Sequence, residues 1–247
     1  MSLAESIKAK RRLLTDESFF VVDMDLSNEE KECLLNIKIE KELEQFDYYG
    51  SDGSKLETDL FEYFTDVGDN TALDISCISQ LITRLSKDMI EGFEEESVWI
   101  MVRVFMPNNA YDIPRWHHDG NYFKTSKKVY KFVSALRGPQ TLFAEKIDAK
   151  RFSELLRKNS DNYIENIIKN NNPEKFKTED LKIRRELIET VKEINICKEG
   201  QVVIYLVGDE KAAIHSEPKM NTSRIFISIL PGSKTQIDEW KNRKSKK

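Results

Sequence analysis

The feature that most constrains the fold of this chain is a series of short segments rich in β-branched and aromatic residues. This composition is typical of buried strands. The segments are SVWIMVRVF (97–105), PRWHHD (114–119), VYKFVSAL (129–136), TLFAEKI (141–147), GQVVIYLVG (200–208) and RIFISIL (224–230). Short strands in this number, with helices ahead of them, predict a mainly β fold with flanking α-helices, in the form of an antiparallel jelly roll or barrel.

Helices are predicted ahead of the first long strand. Apolar residues recur at helical spacing over residues 74–93, which predicts an amphipathic helix packed against the outside of a sheet. A capping box that begins at Ser27 predicts a second helix, which continues to about Phe46. A short β-like run at 19–26 precedes that helix, and residues 48–55 are turn-like.

A polar segment with helical character and an Asn-rich turn separates the fourth and fifth strand-like segments. Its length exceeds what the strands need, so we predict a helical cover over the open end of the barrel that helps to select substrate. The basic end of the chain is expected to be solvated and disordered. The predicted organisation is a single domain, 1–247, with a helical support region (1–95), a jelly-roll core (96–147 and 196–232), a helical insertion (148–195) and a basic tail (233–247).

Length and composition narrow the class of protein. A chain of 247 residues, 39% of them hydrophobic and 33% charged, can bury a substantial core. The net charge of −4 gives no reason to expect nucleic-acid binding, and no apolar run reaches the roughly 18–20 residues of a membrane span. The N-terminus lacks the apolar core of a signal peptide. Cys33, Cys77 and Cys197 form no CxxC pair, so a reducing, cytoplasmic location is predicted.

All three histidines fall in two short segments that adjoin predicted strands. His117 and His118 precede Asp119, and His215 follows the strand at 200–208. Because side chains alternate along a strand, His117 and Asp119 share a face and His118 points away. Two imidazoles and one carboxylate form the facial triad of a non-haem Fe(II) centre. The neighbouring His118 leaves the choice of imidazole open, and a polar strand end without metal is the alternative.

An arginine on the strand after His215 adds to this pattern. Arg224, Phe226 and Ser228 share one face of RIFISIL, and the isoleucines share the other. The isoleucine face is expected to pack under the helices, which turns Arg224 into the barrel, where an unpaired charge is costly. A guanidinium there needs a carboxylate that it can bind with two hydrogen bonds, and Ser228 can add a hydroxyl donor. An internal Asp or Glu is the alternative partner.

The HxD motif at 117–119, the distal His215 and Arg224 together resemble the Fe(II)/2-oxoglutarate-dependent dioxygenase superfamily. The resemblance covers roughly residues 97–147 and 197–231. The spacing between the distal histidine and the arginine is similar to that of prolyl-hydroxylase-like and phytanoyl-CoA-hydroxylase-like members. In this superfamily the motif lies at the open end of a double-stranded β-helix, so the resemblance implies that form of jelly roll.

The resemblance also implies an activity, namely an oxygenase or hydroxylase that uses Fe(II), 2-oxoglutarate and O₂ and releases succinate and CO₂. The implied catalytic residues and metal ligands are His117, Asp119 and His215. The implied co-substrate contacts are Arg224, with Ser228 and Tyr122. Further candidates to contact co-substrate or substrate are Arg103, Lys131 and Tyr205, together with Tyr122.

Two other functions stay open at this point. One is a cupin-like metalloenzyme that does not use 2-oxoglutarate, although such an enzyme has no need of the buried Arg224. The other is a non-catalytic binding protein that retains the barrel, although the intact triad argues against it. The primary substrate, a small molecule or a protein side chain, is not assigned, and neither a membrane nor a nucleic acid is expected as a partner.

Overall fold

The computed structural model describes residues 1–13, 17–208 and 211–245. The helices are α1 (Leu3–Leu13), α2 (Asn28–Asn36), α3 (Gly53–Thr65), α4 (Ala72–Phe93), α5 (Ala149–Tyr163), a π-helix (Ile164–Lys169), α6 (Pro173–Thr190) and α7 (Lys234–Lys244). The strands are β1 (Phe19–Asp23), β2 (Phe46–Gly50), β3 (Ser97–Phe105), β4 (His117–His118), β5 (Val129–Arg137), β6 (Leu142–Ile147), β7 (Val191–Ile196), β8 (Gln201–Val207), β9 (Ile214–Ser216) and β10 (Arg224–Gly232).

The strands form two antiparallel sheets. The large sheet has the order β1-β8-β5-β10-β3-β2, and the small sheet has the order β4-β9-β6-β7. From β3 to β10 the chain passes back and forth between the sheets, with β6 and β7 as consecutive strands of the small one. Two four-stranded arrays connected in this way define a jelly roll. The predicted fold class is therefore confirmed, and β1 and β2 extend the large sheet at its two edges.

The long helix α4 covers the outer face of the large sheet. Thr71 caps its start by accepting a hydrogen bond from the Asp74 backbone N–H, and Glu94 ends it in a left-handed conformation. The apolar face of α4 packs with the isoleucine face of β10 in one buried cluster. This burial fixes the direction of β10, because its alternate residues, beginning with Arg224, must then face the space between the sheets.

The helical insertion packs on the outside of the small sheet. Phe152 and Leu155 of α5 and Ile183 and Leu187 of α6 are buried in one cluster with Trp116, just before β4. None of the residues that line the cavity between the sheets comes from α5, the π-helix or α6. The apolar faces of these helices meet the apolar outer face of the small sheet, and a role of the insertion as a cover over the open end of the barrel stays a prediction.

Several local expectations differ from the structure. The helix predicted to reach about Phe46 ends at Asn36, because residues 38–41 bond to the turn at 67–70. The turn predicted at 48–55 is partly β2, which pairs with β3, and partly the start of α3.

The end of the predicted insertion and the predicted basic tail also differ from their expected structures. The last residues of the predicted insertion form β7, a largely exposed strand at the edge of the small sheet. The expected disordered end is helical as far as Lys244 in α7, while residues 246–247 lie outside the described residues. Among the helices that the structure describes, none is long and apolar enough to cross a membrane.

Candidate metal centre

A cavity of about 200 Å³ lies between the two sheets. Its wall contains eight of the residues singled out from the sequence: Arg103, His117, Asp119, Tyr122, Lys131, Tyr205, His215 and Arg224. Ser228 is buried on the same face of β10 as Arg224, but it does not line the cavity. His118 is exposed and likewise absent from the wall, so the structure brings together the imidazoles that strand alternation selects.

The register of β4 against β9 places the two histidines side by side. His117 is the direct cross-strand partner of His215, and the centroids of their rings are 4.4 Å apart. Asp119 completes the group, and one ligand atom from each of the three residues lies within 4.8 Å of the others. Within the part of the chain that the structure describes, this is the one group of His, Cys, Asp and Glu side chains close enough to share a metal ion.

Backbone carbonyl groups set the orientation of both imidazole rings. Nδ1 of His117 lies 2.8 Å from the carbonyl oxygen of Arg115, and Nδ1 of His215 lies 3.2 Å from that of Ala213. A carbonyl oxygen can only accept, so Nδ1 must carry the hydrogen in each ring. Each Nε2 atom then keeps its lone pair for a metal, as in protein metal sites whose outer hydrogen bonds fix the tautomer.

Asp119 is held through one of its two carboxylate oxygens. Oδ2 accepts hydrogen bonds from Nζ of Lys131 at 2.9 Å and from the hydroxyl of Tyr205 at 2.6 Å. Oδ1 faces the histidines and lies 4.0 Å from Nε2 of His215. The hydroxyl of Tyr122 accepts a second hydrogen bond from Lys131 at 3.0 Å. The carboxylate therefore presents one oxygen to the ligand group, while the other is bound by the protein.

The charge states of the three groups suit a divalent cation. Burial lowers the pKa of His117, and burial together with the neighbouring His117 lowers the pKa of His215 to about 3. Burial opposes the ionisation of Asp119, but the attraction of Lys131 and His215 and the hydrogen bonds from Tyr205 and Lys131 together outweigh it, and they hold the pKa of the Asp119 carboxyl well below its usual range. The site thus has two neutral imidazoles and an ionised carboxylate at neutral pH.

Arg224 lies at the base of the cavity with almost no exposure. Its side chain is 1% exposed, and its Nη2 donates to Oγ1 of Thr141 at 2.8 Å. Its Nε is buried with no hydrogen-bond partner, and burial lowers its pKa to about 10. Gly138 keeps the turn before β6 close to Arg224, since a Cβ there would lie 2.4 Å from the carbonyl oxygen of Ser223. This is a buried guanidinium with unused hydrogen-bonding capacity.

Of the cavity residues that were not singled out from the sequence, three have charged or hydroxyl side chains. Arg115 and Glu217 form a two-pronged ion pair at the cavity wall, two residues before His117 and two residues after His215. Strand alternation could have found them, because residues at i±2 share a face. Thr141 carries no comparable signal, since its role depends on how the turn before β6 lies against β10.

Comparison with models of known protein families gives no match, and comparison with curated proteins gives none. Among solved structures, the chain is similar to a dioxygenase for auxin oxidation in rice (8% identity, 92% of this chain and 78% of that one, TM-score 0.49). It is similar to the Kdo hydroxylase KdoO, a non-heme Fe(II) alphaketoglutarate dependent dioxygenase (12% identity, 94% and 85%, TM-score 0.49). It is also similar to a prolyl-4-hydroxylase of Pseudomonas putida (12% identity, 94% and 92%, TM-score 0.37). The likeness is loose at these values, and the strand order defines the fold without it.

Proposed function

We propose that the protein is an Fe(II)- and 2-oxoglutarate-dependent oxygenase. One observation carries the proposal: a single cavity contains both a possible metal site and a buried arginine. The metal site is formed by His117, Asp119 and His215, and the arginine is Arg224. Among the described residues, no carboxylate lies within 4.0 Å of the Arg224 guanidinium. A buried cation is costly without an anion, so the site is suited to a ligand that brings a carboxylate.

The donor set fits Fe(II). Two imidazole nitrogens and one carboxylate oxygen are the ligands of non-haem Fe(II) oxygenases, in which the remaining positions stay open for co-substrate and O₂. When bound, the iron would supply the coupling of 2-oxoglutarate decarboxylation to oxidation of a substrate, with release of succinate and CO₂. The residues of the chain provide the orientation, since the carbonyl groups of residues 115 and 213 hold the rings and Lys131 and Tyr205 hold Asp119.

Arg224 and Thr141 would bind the carboxylate of 2-oxoglutarate that is remote from the metal. The Nη2 of Arg224 is already oriented by Thr141, and its buried Nε lacks a partner. A carboxylate that satisfies this guanidinium removes the desolvation penalty, which favours binding. A cupin-like enzyme without 2-oxoglutarate has no use for this arrangement.

The test uses metal-depleted protein and two separate measurements. Binding of 2-oxoglutarate in the presence of Mn(II) is measured by calorimetry, and succinate release is measured after addition of Fe(II) in air. We expect 2-oxoglutarate to bind only when the metal is present and Arg224 is intact. Metal binding without any affinity for 2-oxoglutarate would instead favour the cupin-like alternative, and the absence of metal binding would favour the non-catalytic barrel.

A further inference from the structure

The cavity carries more positive charge than the proposed co-substrate can neutralise. Four cationic side chains line it, and two of these, Lys131 and Arg115, pair with carboxylates of the chain. Arg224 is assigned above to 2-oxoglutarate. Arg103 is the remaining cation, and no carboxylate of the described residues lies within 4.0 Å of it. With a divalent metal and the dianionic co-substrate bound, the cavity still carries a surplus of two positive charges, so Arg103 has no anion of its own.

Arg103 lines the cavity, and a hydrogen bond to Gln45 fixes the orientation of its guanidinium group. Its Nε donates to Oε1 of Gln45 at 2.7 Å, and the amide of Gln45 is fixed in turn by donating to Oδ2 of Asp47 at 2.7 Å. The two terminal nitrogens of Arg103 make no hydrogen bond to any residue that the structure describes. A guanidinium held through Nε presents these nitrogens as a fork, which matches the two oxygens of a carboxylate.

Arg103 and Arg224 differ in strand and in exposure to solvent. Arg103 lies on β3, where it is the cross-strand partner of Phe226, and it is half-buried, whereas Arg224 is almost fully buried. The ring of Phe226 lies 4.6 Å from the Arg224 guanidinium carbon. The two cations therefore lie on adjacent strands of one face, with the more accessible one at Arg103.

About half of the cavity lining is polar, but the side chains that share a strand face with Arg103 are apolar or aromatic. Trp99, Met101 and Phe105 share its face of β3, and Tyr122 and Phe226 add two further aromatic rings. Trp99 and Tyr122 contact each other, with ring centroids 5.7 Å apart. Apolar walls with a few convergent polar groups are typical of sites for small molecules. A fitting ligand thus combines an apolar body with one anionic group.

We propose that Arg103 binds the carboxylate of the primary substrate, and that the protein acts on a small organic acid with an apolar or aromatic body. This inference rests on the proposed function, because it assigns Arg224 to the co-substrate. Arg103 then acts as a specificity-determining residue, which selects acids over neutral molecules of the same shape.

Benzoate and benzamide are suitable probes, because they share size and ring but differ in charge. Both are titrated by calorimetry into protein saturated with Mn(II) and 2-oxoglutarate, in the wild type and in Arg103→Gln, Arg103→Lys and Arg157→Gln. Arg157 is an exposed arginine of α5 outside the cavity, so its variant controls for loss of one positive charge. We expect the wild type and Arg157→Gln to prefer benzoate by about tenfold or more. Arg103→Gln should lose this preference, and Arg103→Lys should keep part of it.

Four outcomes would overturn the inference. Equal affinities for the two probes in the wild type, or an unchanged preference in Arg103→Gln, would show that Arg103 does not select an anion. A fall in 2-oxoglutarate affinity in Arg103→Gln that equals the fall in Arg224→Gln would assign Arg103 to the co-substrate. A wild type that binds neither Mn(II) nor 2-oxoglutarate would overturn the proposed function itself, and this inference with it.

Discussion

Nζ of Lys131 lies 2.9 Å from Oδ2 of Asp119, and their side chains are only 7% and 14% exposed. A buried ion pair of this kind is balanced within itself, so removal of one partner leaves an uncompensated charge in a poorly solvated site. Burial alone would lower the pKa of Lys131, but Asp119 and Tyr122 raise it above its usual value. Lys131 is therefore a positioning residue, which keeps Asp119 ionised and oriented before a metal arrives.

Replacement of this lysine should destabilise the metal-free protein more than the metal-bound protein. We expect Lys131→Met to lower the free energy of unfolding by about 3–5 kcal/mol without metal, because Asp119 loses its charge partner. Saturating Mn(II) should reduce the loss, since the ion supplies positive charge to the same carboxylate. Chemical unfolding with and without Mn(II) measures both values. Equal losses in the two conditions would contradict this role. Tyr205→Phe removes one hydrogen bond to the same carboxylate and should cost less, about 1.5–3 kcal/mol.

The three histidines provide a matched set for testing the metal ligands. His117→Ala and His215→Ala should each weaken Mn(II) binding by more than the roughly 10–100-fold that follows loss of an outer hydrogen bond at such sites. His118→Ala removes the same group from the exposed face of β4 and should leave the affinity unchanged. Calorimetric titration of metal-depleted protein compares all three variants. Loss of binding in His118→Ala alone would show that the face assignment is inverted.

The candidate site was more predictable from the sequence than the elements around it. Alternation along a strand is a local rule, so it separates His117 from His118 and turns Arg224 inward without knowledge of the remaining fold. The long apolar strands, such as β3 at 97–105, were located for the same reason. All histidines lie in two segments that adjoin strands, which predicted that the ligands meet, and the pairing of β4 with β9 places them side by side.

Two edge strands, and the surface on which the helical insertion packs, could not be predicted from the sequence. Residues 191–196 mix polar and apolar side chains and continue a helical pattern, and only pairing with β6 makes them a strand. Residues 48–50 of β2 are turn-like locally and Phe46 lies at the end of a predicted helix, whereas the strand form of all these residues depends on pairing with β3. Nothing local in the sequence reveals which surface an amphipathic helix covers, so the packing of the insertion on the outer face of the small sheet could not be predicted. These are tertiary effects that override local preference.

Arg224 should contribute to ligand binding at the expense of stability. Arg224→Lys keeps the charge but loses the fork geometry, which should weaken 2-oxoglutarate binding by about 1–3 kcal/mol. Arg224→Met should weaken it further, yet leave the free energy of unfolding of the ligand-free protein equal or higher, because a costly unpaired charge is removed. Calorimetry and chemical unfolding measure the two quantities on the same variants. A loss of several kcal/mol in stability with unchanged 2-oxoglutarate affinity would make Arg224 a structural residue instead.

The helical insertion should matter for stability and not for ligand binding. Ile183 of α6 is 1% exposed in the cluster that seals the outer face of the small sheet, so Ile183→Ala should lower the free energy of unfolding by about 2–5 kcal/mol. Ile188, on the same helix, is 41% exposed, and Ile188→Ala should change the free energy of unfolding by less than about 0.5 kcal/mol. The affinities for Mn(II) and 2-oxoglutarate should stay within about tenfold of the wild type in both variants, because no residue of α5 or α6 lines the cavity. If Ile183→Ala is as stable as Ile188→Ala but binds 2-oxoglutarate much more weakly, the insertion contacts the open end of the barrel in solution and acts as a cover.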